Sequence, residues 1–144
     1  MMTGRPRGDT GSAPIELVLL AVPAMALVAL VVFGGRQAIA RDAVQAAAAE
    51  AARAASISRT ADQAQSAAES GASAILATEE LECASRSVDL DTSGFAAPVG
   101  TPAVVRATVT CDVDLTDLSL LPLPGTITVT ATMSSPLDTY RSRG

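Results

Sequence analysis

Three groups of side chains in this sequence have the chemistry to pair, bond or coordinate. They are a lone carboxylate, Glu16, at the head of an apolar run; two cysteines, Cys83 and Cys111; and the aspartates Asp112, Asp114 and Asp117. Histidine, the commonest acid–base group and metal ligand, is absent from the sequence. The sequence also has no Gly-x-Ser-x-Gly elbow, phosphate loop or cysteine cluster. No enzyme is expected, and no catalytic, cofactor-binding or metal residue is assigned. The spacing Asp112-x-Asp114-x-x-Asp117 invites a calcium reading, but no glycine turn or terminal Glu completes a known loop. A solvated acidic face is the plainer account.

Glu16 has a different character. A carboxylate beside a membrane-length helix is costly, by roughly 2.5–3.5 kcal/mol at the helix centre and less near its end. An acid in that place points to a pairing role. It follows Gly11-Ser12-Ala13-Pro14-Ile15. Cleavage after Gly11 would leave a free amine on Ser12, which a neighbouring subunit's Glu16 could neutralise. Taken alone, Glu16 also reads as the last polar residue before a plain anchor, reaching back to the interface.

Cys83 and Cys111 both lie well beyond the apolar run, in the part expected outside the cell membrane, where thiols are oxidised. A disulfide there closes a loop of roughly 29 residues, worth about 3 kcal/mol in the chain-entropy model. A free, reduced pair is the alternative.

These groups are positioned by four segments. Residues 1–11 form a short polar leader, whose Arg7-Gly8-Asp9 tripeptide reads as coincidence rather than an adhesion motif. Residues 12–35 contain the run Leu17–Phe33, 17 residues without a charge, just long enough to span a bilayer core of about 30 Å. Pro23 is expected to bend this helix and Gly34-Gly35 to form its flexible exit. Residues 36–82 are alanine-rich and read as an amphipathic helix from Gln37 to about Ala77, with a break or kink at Ser70-Gly71.

Residues 83–144 change period. Val105 to Leu115 alternate strictly, as do Thr126 to Met133, which is the pattern of strands with one buried face. Leu121 to Gly125 reads as the turn between them, Arg86 to Leu90 as a weaker third strand, and Asp91 to Pro102 as a loop. The expected class is α+β: one long N-terminal helix, half in the membrane, packed on a small antiparallel sheet. Eight acids between Glu79 and Asp117 face only Arg86 and Arg106, so nucleic acid is not an expected partner.

The segment Gly11-Ser12 with Glu16-Leu-Val-Leu-Leu-Ala-Val-Pro23 resembles the prepilin motif of type IV pilins and pseudopilins. With the Gly34-Gly35-Arg36 exit, the Ala-Ala-Arg53-Ala-Ala stretch, two late cysteines and a Thr/Val-rich end, the chain looks like the TadE-like family of the tight-adherence (Flp) pilus system. The resemblance implies a minor pseudopilin, inserted with its N-terminus in the cytoplasm and trimmed by a prepilin peptidase. Its partners would be membrane lipid, other pilins and pseudopilins, and the pilus assembly platform. Leu17 after the Glu, and the added sheet, favour a minor component over the filament subunit.

Two other readings stay open. Ala38-Ile39-Ala40 fits a signal-peptidase site, although the apolar run exceeds the usual signal core and Arg36 intervenes. A membrane-anchored or secreted extracytoplasmic binding module, unrelated to pili, would need no Glu16 pairing at all.

Overall fold

The computed structural model describes residues 13–118 and 124–140. Its elements run α1 (Ala13–Ser56), α2 (Ala61–Thr78), β1 (Ser85–Asp91), a 3-10 turn (Ser93–Ala96), β2 (Ala103–Asp114), a single turn α3 (Leu115–Leu118) and β3 (Thr126–Leu137). The three strands form one antiparallel sheet in the order β1-β2-β3. This is the expected α+β arrangement, a long apolar N-terminal helix with a small antiparallel sheet.

α1 is 44 residues long, about 66 Å at 1.5 Å per residue. It passes through Pro23 and through Gly34-Gly35 without interruption. The expected exit at the two glycines is therefore absent, and the membrane-length part continues directly into the alanine-rich part. That outer part buries Ala40, Val44, Ala48 and Ala52 along one row and Ala43, Ala47, Ala51 and Ala55 along the next. Spacing by four keeps each row on one side of the helix. α2 answers with Ala64, Ala68, Ala72 and Leu76, again every fourth residue. Methyl-sized side chains let the two backbones approach closely.

The helix expected from Gln37 to Ala77 is thus a helix pair, broken at residues 57–60 and not at Ser70-Gly71. Ser58 closes α1 by donating through its N–H to the Ala55 carbonyl, and Thr60 opens α2 as its N-cap, its side chain accepting from the Gln63 N–H at 3.3 Å. Gly71 is a packing residue instead: a Cβ there would lie 3.3 Å from Glu50 Cγ and 3.5 Å from the Ala54 methyl. α2 ends in paired bonds, Leu81 N–H to the Leu76 carbonyl and Glu80 N–H to that of Ala77, with Glu80 in the left-handed region at φ 53°.

β2 is the central strand, and its odd-numbered residues Val105, Ala107, Val109, Cys111 and Val113 are buried beneath the helices. The opposite face carries polar pairs across the ladder: Thr108 with Thr132, Thr110 with Thr130, and Asp112 with Thr128. β3 runs four residues beyond the expected end at Met133, through Pro136 to Leu137. It is an edge strand, where a missing N–H is tolerated.

α1 and β3 point the same way. At the end near the membrane-length segment, an Arg36 guanidinium nitrogen donates to the Asp117 carbonyl at 2.9 Å. At the far end, the Ser135 hydroxyl donates to Ser56 Oγ at 3.0 Å. The intervening 20 residues of helix and 9 of strand each span about 30 Å, so helix and strand lie side by side in register.

Candidate functional site

The apolar half of α1 is the feature that most constrains function. Leu17, Leu19, Leu20, Val22, Met25 and Val31 are all 69–73 % exposed, so no part of this fold covers them. A soluble chain rarely leaves a continuous apolar surface of that size bare. The helix is long and apolar enough to cross a membrane, near the N-terminus, consistent with a single-pass anchor. Lipid or neighbouring helices would satisfy it.

Glu16 lies in the first turn of α1 and is exposed. The other two members of the expected processing motif, Gly11 and Ser12, lie outside the described residues.

The cysteines are joined: Cys83 and Cys111 form a disulfide with Cα atoms 5.3 Å apart. Cys111 is fully buried on β2, whereas Cys83 follows the α2 terminus and precedes β1. The bond ties the end of the helix pair to the middle of the sheet. The aspartates do something simpler. Asp112 accepts from the hydroxyls of Ser85 and Thr128, each at 2.6 Å, linking all three strands. Those two hydrogen bonds, Ser85's first, hold its carboxyl below the usual carboxylate range. Among the described residues no group of three or more His, Cys, Asp or Glu side chains is placed to hold a metal.

Two grooves flank α1. One, about 440 Å³, runs between β3 residues Ile127–Met133 and the side chains of Gln37, Arg41 and Gln45. The other, about 660 Å³, lies between α1, the end of α2 at Glu79–Glu82, and α3. The sequence shows Arg41 only as a polar position of the alanine-rich helix, and neither its groove nor the open edge of β3 was expected. The available signal was the absence of any charge or proline from Thr126 to Ser135, which leaves most of a long edge strand, up to Pro136, without the charges that usually block further pairing.

Comparison of the chain with protein-family models, with curated proteins and with solved structures finds no match.

Proposed function

We propose that this chain is a structural subunit of a type IV pilus machine, a minor pseudopilin of the tight-adherence type. The observation that supports the reading best is the division of one continuous helix into a bare apolar half and a half packed on a sheet. That layout suits a protein stored in a membrane and drawn into a bundle of like helices. In this reading the N-terminus is cytoplasmic and the sheet domain extracytoplasmic, where the Cys83–Cys111 bond is stable. Glu16 pairs with the freed Ser12 amine of a neighbouring subunit after peptidase cleavage at Gly11. The lateral packing of Leu17–Phe33 against pilin helices supplies the rest of the association, since helices in lipid associate by close packing and polar pairing.

The test is Glu16→Ala in the native host. Membrane insertion is expected to be unchanged while the chain disappears from the sheared pilus fraction. Equal incorporation of the variant would overturn the pairing role. N-terminal sequencing of the same samples should give a mature chain starting at Ser12.

A further inference from the structure

The two flanks of the outer domain are unlike each other, and the directions of their strands restrict what each can meet. β3 forms one flank together with α1, and β1 forms the other together with α2. On β1, the Val88 carbonyl accepts from Gln65 Nε2 of α2 at 3.1 Å, so Val88 points its backbone groups away from β2. Antiparallel strands alternate these directions residue by residue. Following the register Val88↔Val109↔Ala131, the N–H and C=O groups of Thr128, Thr130 and Thr132 point outward from β3. None of them bonds another described backbone group.

Charge divides the same way. Arg41 is the one charged residue lining the β3 groove; it is exposed and has no hydrogen-bond or ion-pair partner among the described residues. The opposite flank carries Glu69, which accepts from Gln65 beside β1, and Glu79, Glu80 and Glu82 at the end of α2. Arg86 of β1 is outnumbered there. Glu79, Glu80 and Glu82 line one groove with Ile39, Ala40 and Ala43, so these acids and Arg41 sit at similar distances from the membrane-length segment; Glu69 lies further out, two residues before Gly71, which packs against Glu50 and Ala54.

Because α1 and β3 run in the same direction, two chains entering one membrane with one polarity hold their β3 strands parallel. Antiparallel pairing of β3 with β3 would oppose the two membrane helices and is excluded for such a pair. β1 also runs parallel to β3, since both are antiparallel to β2. We propose that a second copy of this chain docks its β1–α2 flank on the β3–α1 flank of the first, head to tail. The sheet then continues from β3 to the neighbour's β1, Arg41 faces the neighbour's Glu79, Glu80 and Glu82, and the incoming strand replaces Gln65 at Val88. Such an interface is heterologous, so it builds rings or open arrays and not closed pairs. The inference requires only that α1 crosses a membrane, and not that the chain belongs to a pilus.

The experiment places a photoreactive benzophenone side chain at Thr130 in the full-length protein, held in lipid vesicles as the sole protein. Irradiation is expected to give a ladder of dimer, trimer and higher species, with adducts on residues 85–91 of a second copy. Arg41→Glu, an exposed change with no partner to lose inside the fold, is expected to abolish the ladder with unchanged circular dichroism. Dimers only, adducts on β3 itself, adducts with lipid alone, or a ladder that survives Arg41→Glu would each overturn the proposal. Because no pilus component is present, failure of the pilus reading leaves this result untouched.

Discussion

The two halves of α1 are built from much the same apolar alphabet, yet one is bare and the other is the centre of the core. From Leu17 to Phe33 the large side chains Leu, Val and Met stand out from the helix, while from Ala40 to Ala55 nearly every buried residue is alanine. Side-chain size separates them as well as hydropathy. A small side chain offers little area to lipid, but lets another backbone come close, and the gain is then packing density summed over many short contacts. Large side chains at the same spacing would hold α2 and the sheet away. The more hydrophobic half is therefore the one that stays outside the fold.

The largest expected effect concerns the bond that closes the outer half. Replacing both Cys83 and Cys111 with Ala should lower the stability of the outer domain by about 2–5 kcal/mol. Thermal unfolding of the full chain in detergent, followed by circular dichroism with and without reductant, reads this. Membrane fractionation should not change, which separates the halves again; a melting point insensitive to reductant would mean the alanine core suffices alone.

A sharper comparison uses one substitution in two places. Ala48→Leu inserts bulk into the buried row and should destabilise the outer domain by about 1–3 kcal/mol. Ala26→Leu, on the exposed membrane-length half, should leave the same melting curve in place. Equal effects at the two sites would break the distinction drawn from size.

The smallest effect is electrostatic. The Asp112 carboxyl is held low by Ser85 and Thr128, so its folded pKa lies below its unfolded value of about 3.9. A depressed carboxylate contributes stability that is present above the unfolded pKa and lost as the pH falls through the folded one. Asp112→Asn should lower stability at neutrality, with the difference from the parent shrinking as the pH falls below about 4, so that the acid limb of the stability–pH profile is flatter. An unchanged acid limb would assign the loss to other carboxylates.

How far the sequence is readable varies with the kind of signal. β2 was expected from Val105 to Leu115 and runs from Ala103 to Asp114, because strict alternation encodes a one-sided strand directly. The helix break was misplaced for a physical reason. Ser70-Gly71 looks like a breaker on propensity, but Gly71 lies where α1 approaches too closely for a larger residue, a fact visible only in tertiary contact. The true break carried its own mark, Thr60-x-x-Gln63, the spacing of a capping box. Gly34-Gly35 misled in the opposite sense, since a helix already running on both sides carries through two weak formers. The Cys83–Cys111 pair was readable from compartment and count. The Arg41 groove was not, because it depends on which face of α1 meets which edge of the sheet.

The side-by-side run of α1 and β3 also has a mechanical consequence. A pull on the membrane end of α1, with the sheet held, loads the alanine rows and the strand beside them in shear, all at once, and not one contact after another as in peeling. With no joint between Phe33 and Ala40, twist applied at one end of the rod arrives at the other. The outer domain should then follow every turn and displacement of its anchor as a stiff body, and yield only when the whole interface slips together.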